Sequence, residues 1–315
     1  MTVRIEKAFV FAAGLGTRLR PLTGVLPKPL LPVFGKPLLR FALEHLRGVG
    51  VRSFALNTHH LAGAFDPYLE SARRDGFAVA CFHEPSLLGT GGALVNARTW
   101  IGADPVLLHS GDLLTDVDLT RLMKAHHDEG AEVTLGLRHT GLAAQVAFDP
   151  ASRRVVDIRS TLGVAAPQNL DYANVGVVNG HILEGWKAGP GSLVAIVLDA
   201  LRRGLPVRGV LLDDRRWFNV GTRHDYLEIH RTLKNGCWLP AFLPVPWWQE
   251  PWPSVRYAAT GATWVAPDAR VGADVELHDT VVWPGSDIAP GTRLNRCVVA
   301  GRAVGPGTFF EEDFA

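Results

Sequence analysis

The first clear feature of the chain is a short apolar run, Ala8-Phe9-Val10-Phe11-Ala12, broken at once by Gly14 and Gly16. A run of this length, stopped by glycine, predicts a buried strand over 7–12. The period then changes. Leu38, Leu39, Phe41, Ala42 and Leu46 recur at helical spacing and predict a helix over 37–47. Apolar strands are expected at 53–57, 77–82 and 105–109, with helices after Leu61 and near Gly91 between them. Further strands are expected at 132–137, 145–148, 155–158 and 174–178. Strand alternating with helix implies an α/β fold, a Rossmann-like, mostly parallel sheet sandwiched by helices. A ligand belongs at the carboxyl ends of its strands.

The pattern stops near Leu233. Residues 234–260 interleave Pro240, Pro244, Pro246, Pro251 and Pro253 with Trp238, Trp247, Trp248 and Trp252. That density of proline excludes a regular helix or central strand, and the stretch reads as an ordered linker between two domains. From 261 to 315 the texture changes again. Val265-Ala266-Pro267-Asp268-Ala269, Val271-Gly272-Ala273-Asp274-Val275 and Trp283-Pro284-Gly285-Ser286-Asp287-Ile288 form an approximate six-residue repeat. This is the mark of a parallel β-helix, in which short strands alternate with tight turns. The expected organisation is a domain over 1–233, a linker over 234–260 and a short hexapeptide-repeat solenoid over 261–315. So short a solenoid is expected to cap itself on the first domain or on a second copy, which makes a homo-oligomer the expected state.

Composition narrows the function classes. The 315 residues are 47% hydrophobic and 20% charged, an ordinary globular balance, with a net charge of +1. No overall field draws the chain to nucleic acid or to an anionic membrane, so neither is an expected partner. An acidic ligand must be held by a local site. Cys81, Cys237 and Cys297 are far apart and show neither zinc spacing nor a disulfide framework. The first apolar run is too short for a signal peptide or a membrane span, so a reducing cytoplasm is the expected location.

The densest chemistry is Ala12-Ala13-Gly14-Leu15-Gly16-Thr17-Arg18, followed by Pro27-Lys28-Pro29. Glycines directly after a strand let backbone N–H groups approach phosphate oxygens without a Cβ between them. Arg18 is suited to clamp a polyphosphate with parallel hydrogen bonds. Lys28 offers a compact charge on a loop stiffened by prolines. The string is neither Gly-x-Gly-x-x-Gly nor a P-loop, so dinucleotide and P-loop readings are not supported.

At these residues the chain resembles the sugar-1-phosphate nucleotidyltransferases, several of which end in a left-handed β-helix. The resemblance implies an enzyme that joins a nucleoside triphosphate to a sugar 1-phosphate, releases pyrophosphate and uses Mg²⁺. It implies that Ala12, Ala13, Gly14, Gly16 and Thr17 hold the nucleotide, that Arg18 binds the β- and γ-phosphates, and that Lys28 contacts the phosphates being joined. A second string, Glu84-Pro85-Ser86-Leu87-Leu88-Gly89-Thr90-Gly91-Gly92, resembles the family's nucleobase cup and opens a helix, whose start favours anionic neighbours. Glu84 would read a base edge, and Gly89 and Thr90 would approach the base and ribose.

Asp112, in His109-Ser110-Gly111-Asp112, stands at a strand end where a carboxylate suits Mg²⁺. The family's second metal ligand is an Asp; this chain has Asn219, in Asn219-Val220-Gly221-Thr222, which would bring an oxygen but no charge. Asn174 and Gly176 resemble the family's sugar-holding string. Arg159-Ser160-Thr161 and Ala144 depart from the residues relatives use on the sugar. Asp116 and Asp118 read as the start of a helix, and Asp213, Asp214, His126 and His127 as solvated. His59 and His60 read as structural. Glu84, the Leu-Gly-Thr-Gly-Gly string and the appended β-helix together most resemble the branch that uses GTP and mannose 1-phosphate. Uridylyl or thymidylyl transfer to N-acetylmuramic acid 1-phosphate or glucose 1-phosphate is the alternative. Two other classes stay open: an acyltransferase working through the repeats and His278, and a non-catalytic nucleotide-sugar-binding regulator.

Overall fold

The computed structural model describes residues 4–141, 143–243 and 257–315. Compactness divides the chain into two units. The first holds the chain up to Gly14 and Ala42–Trp217; the second holds Leu15–Phe41 and Phe218–Ala315.

A nine-stranded sheet forms the first unit. Its strands in chain order are β1 (Lys7–Phe11), β2 (Ser53–Thr58), β3 (Ala78–His83), β4 (Pro105–Ser110), β5 (Val133–Arg138), β6 (Val146–Asp149), β7 (Arg154–Ile158), β8 (Gln168–Asn179) and β9 (Val207–Leu211). In space they run β3-β2-β1-β4-β8-β5-β9-β7-β6. The principal helices are α1 (Leu38–Gly48), α2 (Phe65–Arg74), α3 (Gly89–Asn96), α4 (Leu119–Asp128), α5 (Leu193–Arg202) and α6 (Arg223–Lys234). Strands β1 to β4 pair in parallel, as helical crossovers require. The expectation of a mostly parallel sheet fails beyond them. Strand β8 runs antiparallel to β4, β5 and β6, and β7 antiparallel to β6 and β9. The cause is local: no helix separates β5, β6, β7 and β8, and connections that short join antiparallel strands. Only β9, reached through α5, returns parallel to β5.

Alternation along β5 shows what each face buries. Val133, Leu135 and Leu137 enter a core cluster with Leu94 of α3 and Ile196 and Val197 of α5. Thr134, on the opposite face, meets His126 of α4 at 3.0 Å. Helices therefore cover both faces. His126 is 4% exposed and its other ring nitrogen reaches the Asn179 side chain at 3.0 Å, so the expectation of a solvated face holds for His127 and not for His126.

The second unit is tied together by α6. Buried Tyr226 donates its hydroxyl to the Pro32 carbonyl and accepts from Trp283 Nε1 at 3.0 Å. Arg223 pairs with Asp313 at 2.6 Å, and Arg231 with Asp279 at 3.1 Å. These links explain why the early segment Leu15–Phe41 belongs with the C-terminal part of the chain. After Tyr257, short strands stack in three parallel sheets: Trp264 pairs with Val281, and Val281 with Val298. Val265, Leu277, Val282, Ile288, Leu294, Val299 and Val304 fill their interior. Residues 244–256 of the expected proline- and tryptophan-rich linker lie outside the described residues. Among the described residues no helix is long and apolar enough to cross a membrane.

Candidate active site

In the first unit the predicted residues converge on the carboxyl ends of β1 to β4. Phe11 and Ser110 pair across β1 and β4, and the Gly111 N–H donates to the Phe11 carbonyl at 2.8 Å. Residues 12–14 and Asp112 therefore leave neighbouring strands side by side. Ala12 and Ala13 are buried, whereas Gly14 is exposed, with open space where a Cβ would stand. Asp112 is half-buried, and its Oδ1 accepts the Ser110 hydroxyl at 2.7 Å. Val175 of β8 pairs with His109, which brings Asn174 beside the end of β4. Asn174 sits at φ 59° in a bulge between Tyr172 and Gly176, so its side chain departs from the regular pleat.

Gly176 has a packing cause. A Cβ there would stand 2.8 Å from the Thr134 carbonyl oxygen and 3.3 Å from the Tyr172 hydroxyl. The glycines of the second string have one as well. Cβ atoms at Gly89, Gly91 and Gly92 would fall within 2.7 Å of carbonyl oxygens in the loop 189–192. The Gly91 and Gly92 N–H groups both donate to the Gly191 carbonyl, at 2.9 and 3.1 Å. Thr90 Oγ1 accepts from the Leu193 N–H at 2.8 Å. The anion-favouring helix start expected from the sequence is thus occupied by the protein's own carbonyl group. Glu84 is also placed differently from a base-reading side chain. It is 0% exposed, with its carboxylate turned inward to Asn57 and to the Leu88 N–H.

The second unit gathers the cations. Gly16, at φ 60°, lies against Thr23 and Lys28: its Cβ would come 2.7 Å from Thr23 Cγ2 and 3.3 Å from Lys28 Cβ. Thr23 Oγ1 donates to the Gly16 carbonyl at 2.9 Å. Thr17 and Arg18 are exposed on the short turn that follows, and Lys28 is half-buried. The Arg18 guanidinium lies over Gly221, two residues beyond Asn219. Asp225 accepts from the Gly221 and Thr222 N–H groups at 3.0 and 2.7 Å, closing a capping box on α6. This cap fixes the backbone that Arg18 covers.

Other candidates resolve simply. Asp118 caps α4 through the Thr120 N–H at 2.9 Å, as expected. His59 donates to the Glu84 carbonyl at 2.7 Å, a structural contact as expected. Asp213 and Asp214 are paired with His139 and Arg121 rather than merely solvated. Residues that sequence reasoning did not single out include Asn57, Thr23, Asp225 and the loop 189–192. Each acts through a partner elsewhere in the chain or through a cap; Thr23 closes the first glycine-rich string and Asp225 completes a Thr-x-x-Asp capping pattern, and these were the signals that could have found them.

A glycine-broken loop and an aspartate thus leave adjacent strand ends of an α/β fold. Residues 7–146 match the family described as Nucleotidyl transferase. The chain is 30% identical over 219 residues to the N-acetylmuramate alpha-1-phosphate uridylyltransferase of Neisseria meningitidis serogroup B, covering 69% of this chain and 93% of that protein. It is 29% identical over 303 residues to the mannose-1-phosphate guanylyltransferase of Mycobacterium tuberculosis, covering 93% of this chain and 79% of that protein. A solved UDP-glucose pyrophosphorylase from Acinetobacter baumanii shares the fold, with a TM-score of 0.60 at 20% identity over 73% of this chain and 94% of that one. The chain belongs to the nucleotidyl transferase family and is a transferase.

Proposed function

We propose that this enzyme transfers a nucleotidyl group from GTP to mannose 1-phosphate, forming GDP-mannose and pyrophosphate. The observation that supports nucleotidyl transfer to a sugar phosphate is the register of Phe11 with Ser110, from which the exposed Gly14 loop and Asp112 leave neighbouring strand ends. The choice of mannose and guanine is supported by the reach of the likeness: the guanylyltransferase matches 93% of this chain, C-terminal strands included. A second reading, uridylyl transfer to N-acetylmuramate 1-phosphate, is favoured by the match over 93% of that shorter relative.

The reaction needs positioning and charge stabilisation, not a protein nucleophile. A sugar-phosphate oxygen attacks the α-phosphorus in line and pyrophosphate leaves. Backbone N–H groups around Gly14 and Gly16 receive phosphate oxygens. Arg18 steadies the departing β- and γ-phosphates, and Lys28 brings the sugar phosphate and the α-phosphate together. Asn174 orients the sugar. Among the described residues no group of three or more His, Cys, Asp or Glu could hold a metal. One half-buried carboxylate, Asp112, with one oxygen steadied by Ser110, fits Mg²⁺, which keeps most of its waters and takes substrate phosphate oxygens. Asn219 would add a neutral oxygen. When bound, the ion would neutralise charge on the α-phosphate. We read the C-terminal sheets as a short left-handed hexapeptide β-helix that mediates self-association of a cytoplasmic enzyme.

Pyrophosphate release measured with GTP, UTP and dTTP against mannose, glucose and N-acetylmuramic acid 1-phosphates tests this assignment. GTP with mannose 1-phosphate is expected to give the highest kcat/KM. A higher value for UTP with N-acetylmuramic acid 1-phosphate would replace it with the second reading.

A further inference from the structure

Three adjacent parallel strands end in a buried relay of hydrogen bonds. The Ala12 N–H, at the start of the phosphate loop, donates to Asn57 Oδ1 at 2.8 Å. Asn57 Nδ2 donates to Glu84 Oε1 at 2.7 Å. Glu84 Oε2 accepts from the Leu88 N–H at 2.9 Å, where the glycine-rich string 88–92 begins. The Glu84 backbone is fixed too, since its N–H donates to Thr58 and its carbonyl accepts from His59. Asn57 is 4% exposed and Glu84 0%.

Burying a carboxylate is costly unless its oxygens are satisfied. What this carboxylate provides is the ability to accept from two opposed donors at once, which a neutral amide of the same shape lacks. The polarity of the relay is therefore fixed along its whole length. One end holds the first residue of the phosphate loop, and the other holds the first residue of the opposing string.

We propose that Asn57 and Glu84 are positioning residues that set the spacing of these two loops, so that the phosphate and nucleoside parts of one triphosphate are gripped together. The proposal rests on the assignment of the nucleotide to Ala12, Ala13, Gly14, Gly16, Thr17, Gly89 and Thr90. The relay has no hydrogen bond to Asp112 or Asn174, so the sugar phosphate should be insensitive to it.

The polarity supplies the test. In Glu84→Gln one amide faces two donors and one hydrogen bond is lost. In Asn57→Asp two carboxylates face each other. In the double variant Asn57→Asp/Glu84→Gln every bond is regained: the new aspartate accepts from Ala12 and from the new glutamine, whose carbonyl accepts from Leu88. KM for the triphosphate and KM for the sugar phosphate are measured separately, below the melting temperature of each variant. Each single variant is expected to raise the triphosphate KM by about 10- to 100-fold, with the sugar-phosphate KM unchanged. The double variant is expected to return to within about threefold of the wild type. The proposal is overturned if the single variants lower only the melting temperature. It is also overturned if both substrates lose affinity equally, or if the double variant folds normally and keeps the raised triphosphate KM. That last variant decides the matter should a single variant fail to fold. A failure of the proposed function looks different, because the wild type itself would then release no pyrophosphate.

Discussion

The Arg18 guanidinium lies directly over Gly221: a Cβ on Gly221 would stand 3.0 Å from one of its nitrogens and 3.3 Å from its central carbon. The contact makes a glycine at this site a matter of room for a cation rather than of backbone freedom. Gly221→Ala would push aside the exposed end of a flexible side chain and leave the Asp225 cap in place. Stability should change little although Gly221 is buried, because the atoms nearest the new methyl all belong to the flexible Arg18 side chain. Turnover should fall, because Arg18 no longer reaches the phosphates assigned to it in the proposed function. Thermal melting beside steady-state kinetics checks this; a large loss of stability with normal turnover per folded molecule would contradict it.

Gly16→Ala should behave in the opposite way. Position 16 has φ 60°, and the new methyl would meet Thr23 at 2.7 Å. Left-handed strain in a non-glycine residue costs roughly 1–3 kcal/mol, and the clash adds to it. Both the melting temperature and activity are expected to drop. Retention of both would show that the turn does not depend on Thr23.

Asn219→Asp should lower the Mg²⁺ concentration needed for half-maximal rate, since a carboxylate attracts the ion where an amide only solvates it. A titration of rate against Mg²⁺ in the two proteins gives the answer. Superimposable curves would remove Asn219 from the set of candidate ligands.

Acid should destabilise the fold through buried histidines. Burial, reinforced by the neighbouring His109, holds the His45 pKa down at about 3, and burial holds His230 at about 4. Both are neutral when folded and have an ordinary value of 6.5 when unfolded. Below pH 6.5 the unfolded chain binds more protons, so stability is complete above that pH and falls as the pH approaches 4. The denaturation midpoint should therefore decrease between pH 7 and pH 5. A flat profile would mean that the rings are solvated or protonated in the native state.

Strands and motifs were legible in the sequence because each is a local signal. The run Ala8 to Ala12 and the helical spacing of Leu38 to Leu46 became the expected elements within a residue or two, and the repeat after Gly261 falls in short parallel strands. The antiparallel half of the sheet was missed because periodicity carries no strand direction. Gly14, Arg18, Lys28 and Asp112 stand out in the sequence as candidates because loop glycines and charged side chains near a strand end are local signals. The purpose of Gly16, Gly89, Gly91, Gly92 and Gly176 was not, because the atoms that exclude a Cβ come from elsewhere in the chain. His126 looked solvated next to His127 because its partners, Thr134 and Asn179, lie on strands that follow it.

Pyrophosphate release by the wild type and by Lys28→Ala, assayed side by side with GTP and mannose 1-phosphate, tests the proposed role of the phosphate loop most directly. Wild-type release should require the sugar phosphate. Loss of the Lys28 charge should slow it by about 10²–10³-fold, or ~2.7–4 kcal/mol, the usual effect of removing one charge-stabilising donor. Near-normal turnover of Lys28→Ala, with a melting temperature equal to that of the wild type, would contradict the role assigned to this loop.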